Sequence, residues 1–504
     1  MADAKTDEIL DVLIVGAGIS GVGAARHLSA RCPDKAIAVF EARDSYGGTW
    51  KVHTYPGIRS DSDLYTFGYR DKPWTGPPIA SAAEILDYMG EFIEENGLDR
   101  YIHYNHKITK ANWSSADKLW TVTYETLEGE HQLRTRFLWM CQGYYDLEKG
   151  YTPDWEGMDD FTGEIVHPQN WPDDMDLSGK KVLVIGSGAT AATLVPNIAD
   201  ACEHVTLLQR SPTYFAPGRN ANELADELRR LEIDEEWIHT IVRKKVLVDQ
   251  RDFTQRAKDE PENVKEELLG GVKAFLGEDF DMTHFTPHYR PWQQRIAFVP
   301  DGDIFQGIAA GKASVVTDHI DRFVPEGIRL KSGEVLEADV IITATGFNLS
   351  FLGDIPFELD GEPVNWNERL TWRGMMVEGV PNMLFVFGYF RASWTLRVDL
   401  LGDFIVRLLA HMDELSAVEI RPEVPAGERG MERLSWMNPD DFNPGYLQRG
   451  QHLMPARANH PEWQHTQDYW HEKDALPEID LDTDVFVYED EDGQPRHKRS
   501  ADAA

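Results

Sequence analysis

The sequence predicts an α/β fold with two parallel-sheet units of the same kind and a helical insertion in the second, and three observations carry that expectation. Asp11-Val-Leu-Ile-Val15 is a β-branched run that enters Gly16-Ala-Gly-Ile-Ser-Gly21, then a helical stretch to about Ala30, then a strand Ala36 to Phe40 ending in Glu41. Lys181-Val-Leu-Val-Ile185 repeats the pattern into Gly186-Ser-Gly-Ala-Thr-Ala191, a helix to about Ala201 and a strand Val205 to Gln209 ending in Arg210. From Asn220 to about Gly277 the composition turns charged and helix-forming, with almost no strand signal. Both repeats have the form of a Rossmann-type dinucleotide-binding unit.

Composition sets the outer limits. The chain has 504 residues, 50 Lys+Arg and 86 Asp+Glu, for a net charge of −36. At roughly 150 residues per domain that length allows about three domains. With 42% hydrophobic and 11% aromatic residues the chain is globular. Its charge repels phosphate backbones and anionic headgroups, which argues against nucleic-acid and membrane-surface partners. A phosphate-bearing ligand must be held locally, by helix N-termini and selected arginines. Cys32, Cys141 and Cys202 form no CxxC pair, so neither a disulfide framework nor a cysteine redox centre is expected. The acidic start, MADAKTDEIL, does not read as a signal peptide, no run reaches the roughly 18 apolar residues of a spanning helix, and the expected location is the cytoplasm.

In the first unit Gly16 makes the turn, Gly18 admits a pyrophosphate, and Gly21 lets the helix pack on the strand. Glu41, 25 residues after Gly16, stands where a carboxylate accepts bonds from a ribose diol. Ser20 and Ile108 are assigned to the same nucleotide. Gly47-Gly-Thr-Trp50 follows, and Gly48, Thr49 and Trp50 are expected along a flavin's pyrophosphate and ring, so FAD is the first cofactor. In the second unit Gly186, Ser187, Gly188, Ala189, Thr190 and Ala191 form the turn. Arg210 replaces the acid, and a guanidinium there suits a 2′-phosphate, so NADPH is the second cofactor, with Thr190 and Ser211 as further phosphate partners.

Residues 1–150 and 346–504 are read as two parts of the FAD domain, 151–175 as a linker rich in Pro, Gly, Trp and Asp, and 176–345 as the NADPH domain with an insertion at about 219–290. The last thirty residues, with Glu489-Asp-Glu-Asp492 and Arg496-His-Lys-Arg499, read as a frayed tail.

The linker carries Phe161-x-Gly163-x-x-x-His167-x-x-x-Trp171-Pro172. Between two dinucleotide fingerprints this resembles the signature of type I Baeyer–Villiger monooxygenases. GIRSDSD, CQGYY, IGSGATA, LQRSPTY, TATGFN and ASWTL look closest to the ethionamide-activating branch of that family. The resemblance implies that His167 orients the linker, that Arg295 in Pro291-Trp-Gln-Gln-Arg295 is the active-site arginine, and that Asp61 is its carboxylate partner. Arg59, Asp61 and Trp394 are placed against the cofactors, Trp394 also lining the pocket. Many relatives carry Lys-Arg where this chain has Gln294-Arg295, which removes one cation from the 2′-phosphate and leaves more to Arg210.

The implied reaction inserts one oxygen atom of O2 beside a ketone carbonyl through a C4a-peroxyflavin, giving an ester or lactone, with sulfides as further substrates. Two alternatives stand beside it. An S- or N-oxygenating flavin monooxygenase shares the cofactors, and Trp171-Pro172 weighs against it. A non-catalytic FAD-binding module would not need the arginine-bearing second site. A disulfide reductase lacks its cysteine pair here, Ser187 has no GxSxG elbow, and His284-Phe-Thr-Pro-His288 is interrupted by Pro287, so no metal is expected.

Overall fold

In the computed structural model, which describes residues 9–497, Leu10–Val15 is an inner strand of a nine-stranded sheet. Val12, Leu13 and Ile14 are wholly buried, as expected for a strand covered on both faces. It pairs in parallel with Ile37–Phe40 on one side and the end of Gly129–Met140 on the other. That long strand serves two regions. Its first half runs antiparallel to Leu119–Thr126, while its last residues also pair in parallel with Met383–Phe385, which brings the late chain back to the sheet where the chain began. The helix Trp394–Leu415 then lies tightly on the first glycine-turn helix, Ile19–Arg31. A Cβ added at Gly402 would stand 2.4 Å from the His27 ring, and one at Gly23 3.2 Å from Val398.

The second sheet has five parallel strands in the order Ala313–Thr317, His204–Gln209, Lys181–Ile185, Val340–Thr343, Glu164–Val166. In both sheets a glycine turn leaves the C-terminal end of an inner strand, where nucleotide ligands bind in open α/β sheets.

Between Phe215–Gly218 and Ala297–Pro300, which pair in parallel, the chain forms the helices Glu223–Arg230, Glu235–Asp259 and Pro261–Leu276. Ile238 and Val242 of the long helix join the core beside the first sheet, whereas Val272 of the third joins the core of the second. Arg243 secures the first attachment by donating to the carbonyls of Tyr65, Thr66 and Gly68 at 3.0, 3.1 and 3.0 Å. These carbonyls end the one-turn helix Leu64–Phe67, whose dipole favours a cation there.

Among the described residues the C-terminal segment is packed against the fold, contrary to the frayed tail expected from its charge. Phe486–Glu489 pairs antiparallel with Glu419–Pro422, and Phe486 and Tyr488 point into the core. The buried Lys118 ammonium bridges Glu419 and Glu489. Lys498 and Arg499 of the basic run, and residues 1–8 of the acidic start, lie outside the described residues. Among the described residues no helix is long and apolar enough to cross a membrane.

Candidate active site

The first turn and the GGTW loop meet as bare backbone. Gly16 has φ +95°, and a Cβ there would lie 3.1 Å from the Cys141 carbonyl oxygen. A Cβ on Gly21 would collide with the Gly16 carbonyl at 1.7 Å, and one on Gly48 would sit 3.1 Å from the Gly18 Cα. Helix Ile19–Arg31 starts at Gly18 with no side-chain cap and no acid in its first turn, which leaves its N–H groups available to an anion. The buried Glu41 carboxylate accepts from the Ala17 N–H (2.7 Å) and the Arg43 N–H (3.0 Å), which ties it to the same turn.

Thr49 and Trp50 open a short helix, with Trp50 edge-on to Phe67. Ser20 Oγ accepts from Trp394 Nε1 at 2.8 Å, and Ile108 is buried in the core on Lys107–Ser114, a strand of the same sheet separated from Leu10–Val15 by two others. The buried Ser45 Oγ and Gln142 Oε1, near these turns in the chain and in space, have no hydrogen-bond partner among the described residues. Buried polar atoms of this kind want a partner, and the open backbone, the acid at the strand end and these two orphaned oxygens together fit a flavin dinucleotide.

The second turn is built alike. Gly186 has φ +139°, and a Cβ there would press on the Ala344 carbonyl at 2.3 Å. Gly188 precedes helix Ala189–Ile198 and faces open space; Ala189 is exposed, Ala191 is buried beneath it, and Thr190 meets the Tyr55 hydroxyl. Ser187 Oγ donates to the Ser211 carbonyl at 3.0 Å, holding the strand end to the turn, and Arg210 extends into solvent beside it. These residues fit a second, phosphate-bearing dinucleotide.

The segment from Tyr55 to Asp61 crosses from one unit to the other. Tyr55 is buried in the core of the second sheet, and Arg59 pairs with Asp303 at 2.6 Å across the units, so its charge is engaged by protein. Asp61 accepts from Arg295 Nη2 at 3.0 and 3.1 Å. The Asp61 charge raises the Arg295 pKa above its ordinary value, so the guanidinium stays charged.

Around it stand Tyr144, Tyr145 and Tyr446, which reinforce that upward shift. The hydroxyls of Tyr144 and Tyr145 are 2.5 Å apart, and the Tyr446 ring lies 5.6 Å from that of Tyr145. Burial pushes the Tyr144 pKa up while Arg295 draws it down. Tyr144 stacks on Trp394 at 5.0 Å, so Trp394 connects the first turn to the arginine.

Sequence reasoning assigned no role to Gln142 or to the three tyrosines. The available signal was position, since Gln142-Gly-Tyr-Tyr145 leaves the end of Gly129–Met140 beside the Gly16 turn. In the linker, His167 Nε2 donates to the Gly346 carbonyl at 3.1 Å and Nδ1 accepts from the Gln169 N–H at 3.2 Å, so the ring is neutral and fixed between two segments.

Two glycine turns, one at the strand ends of each sheet, and the Arg295–Asp61 pair fit a flavoprotein oxidoreductase with a pyridine-nucleotide site. The flavin-binding monooxygenase-like family matches residues 10–221. FAD-containing monooxygenase EthA of Mycolicibacterium smegmatis is 43% identical over 466 residues, covering 92% of this chain and 94% of the relative. Probable FAD-binding monooxygenase AlmA of an Acinetobacter species is 40% identical over 498 residues, covering 98% of each. An oxidised steroid monooxygenase bound to NADP shares the fold at TM-score 0.74 and 21% identity, over 96% of this chain and 100% of that one. A cyclohexanone monooxygenase shares it at TM-score 0.67 and 21% identity, over 84% and 91%. The chain belongs to the flavin-binding monooxygenase-like family, in the group that contains EthA and AlmA, and is a flavoprotein monooxygenase.

Proposed function

We propose that this monooxygenase uses FAD and NADPH to insert one oxygen atom of O2 beside a ketone carbonyl, giving an ester or lactone, and that sulfides are a second substrate class. Gly16, Gly18, Gly48 and Glu41 would hold the flavin, and Gly186, Gly188, Thr190, Arg210 and Ser211 the reductant. Bound there, the two cofactors supply hydride transfer and the activation of dioxygen.

The observation that carries the ketone reading is the Arg295–Asp61 pair between the two cradles. When an oxygen nucleophile adds to a carbonyl, the former carbonyl oxygen gains negative charge. A guanidinium, which stays charged at working pH, stabilises that charge where it develops. One such fixed donor is worth about 3–4 kcal/mol, a factor of several hundred in rate. Asp61 orients the guanidinium so that it need not reorganise during the reaction. Tyr144, Trp394 and Tyr446 wall the site with rings and keep water from the reacting carbon, and the Tyr144–Tyr145 hydroxyl pair offers further donors to the same oxygen.

The test is a panel of ketones and sulfides incubated with the purified protein, NADPH and ¹⁸O2, with products read by mass spectrometry. An ester carrying one ¹⁸O supports the proposal. Sulfoxide or N-oxide with no ester from any ketone would replace it with the S- or N-oxygenase reading.

A further inference from the structure

The turn Arg290–Gln293, closed by the Gln293 N–H on the Arg290 carbonyl at 3.1 Å, leads directly into Arg295. Within it Trp292 has φ +62°, a left-handed conformation that a bulky residue keeps only where its surroundings hold it. What holds it is Asp441, in the loop before the short helix Gly445–Gly450. Arg290 Nη2 donates to the Asp441 carbonyl at 3.0 Å and to Oδ1 at 3.1 Å. Arg391 Nη1 donates to Oδ2 at 2.8 Å, and its Nη2 reaches both the Asp441 carbonyl at 2.8 Å and the Trp292 carbonyl at 3.1 Å. The Asn443 N–H adds a bond to the Gln293 carbonyl at 2.8 Å.

One carboxylate thus joins three segments that are far apart in the chain, and each carries a residue of the candidate site a few positions on. Arg290 precedes Arg295, Arg391 precedes Trp394, and Asp441 precedes Tyr446. The Arg391 guanidinium is buried and lies 5.3 Å from the Phe442 ring, which stacks on Phe390 at 4.7 Å, so the grip is packed as well as hydrogen-bonded. Burial alone would raise the Asp441 pKa; the Arg391 bond, with the Lys258 and Arg290 charges, outweighs it and holds the pKa below its ordinary value. The acid is therefore charged when the enzyme works, and its bonds to both arginines are charge-assisted.

We propose that Asp441 is a positioning residue for oxygen transfer: gripped by Arg290 and Arg391, it fixes the backbone that presents Arg295 and keeps it in register with Trp394 and Tyr446. This rests on the reading above that Arg295 acts in that step. Asp61 aims the guanidinium by one edge, whereas Asp441 fixes the turn from which the side chain rises, so the two acids act at opposite ends of one residue. A reacting group displaced by about 1 Å can lose on the order of a hundredfold in rate, which is why a second anchor matters.

The experiment compares wild type, Asp441→Asn and Arg290→Gln as FAD-loaded full-length proteins, with Arg295→Ala as the reference. Asp441→Asn keeps the side-chain shape and loses the charge; Arg290→Gln removes one arm and leaves the more buried Arg391 in place. Flavin reduction by NADPH is followed without oxygen, and oxygenated product (ester or sulfoxide) and hydrogen peroxide are measured per NADPH consumed, beside bound FAD. In both variants reduction and bound FAD should stay within about twofold of wild type, while product per NADPH falls about five- to tenfold and peroxide makes up the difference. Arg290→Lys, which keeps a cation for Asp441, should recover most of the coupling. Wild-type coupling in both variants, or a loss of product no larger than the loss of reduction or of bound FAD, overturns the proposal; if Arg295→Ala is itself uncoupled, the Arg295 reading stands. Full coupling in Arg295→Ala would overturn both.

Discussion

One nitrogen of Arg295, Nη2, sits 3.0 and 3.1 Å from the two carboxylate oxygens of Asp61, 234 residues away in sequence. Among the described residues the other guanidinium nitrogens bond to no protein group, so the pair fixes the arginine by one edge and leaves the rest able to donate to a substrate oxygen.

Asp61→Ala removes the orienting group and keeps the charge. Ester yield per NADPH consumed should fall several-fold, with the missing oxygen recovered as hydrogen peroxide, while NADPH binding is unchanged. Product and peroxide quantified in the same reaction check this; full coupling in Asp61→Ala would show that Arg295 is held by other contacts.

Arg210→Ala should raise the Michaelis constant for NADPH about tenfold or more and leave that for NADH nearly unchanged, because only the 2′-phosphate offers the guanidinium an anion. Steady-state kinetics with both reductants decide it. Equal effects on both would assign Arg210 to the fold.

His53 is 4% exposed, and burial, reinforced by the Arg43 charge, lowers its pKa to about 4. Above pH 6.5 the ring is neutral whether folded or unfolded, and its contribution to stability is fully present. As pH falls from 6.5 to about 4 the unfolded chain takes up a proton that the folded one refuses, so stability drops by about 3 kcal/mol over that window. His53→Gln should flatten that part of the curve in urea melts at stepped pH; an unchanged slope would show that His53 protonates in the folded state.

Lys118→Met leaves the buried Glu419 and half-buried Glu489 carboxylates with Arg421 alone. Removing one partner from such a cluster costs about 3–5 kcal/mol. Thermal melts should show the loss, and limited proteolysis should release the C-terminal segment; a melting temperature equal to wild type would count against a buried network.

The two glycine turns were legible because each is a local pattern, with strand, turn, helix and strand-end residue within about thirty positions. The pairing of Arg295 with Asp61 could come only from family resemblance, since nothing in local periodicity connects residues so far apart. Tyr446 and Tyr144 meet for the same non-local reason. The C-terminal strand was misread for a different one. The acidic run at Glu489–Asp492 suggested a solvated tail, but Val485-Phe-Val-Tyr488 just before it is a continuous β-branched and aromatic run of strand length, and it pairs with Glu419–Pro422. Arg59, placed against the cofactor by sequence, pairs with Asp303, an acid on the far side of the insertion that spacing could not reveal.

The central claim is that Arg295 acts on the oxygen-transfer step. Stopped-flow absorbance of Arg295→Ala, with product measured in parallel, should show flavin reduction by NADPH continuing, at most slowed, hydrogen peroxide released on exposure to oxygen, and ester formation reduced by a factor of several hundred or lost. Ester formed by Arg295→Ala at close to the wild-type rate would contradict the account.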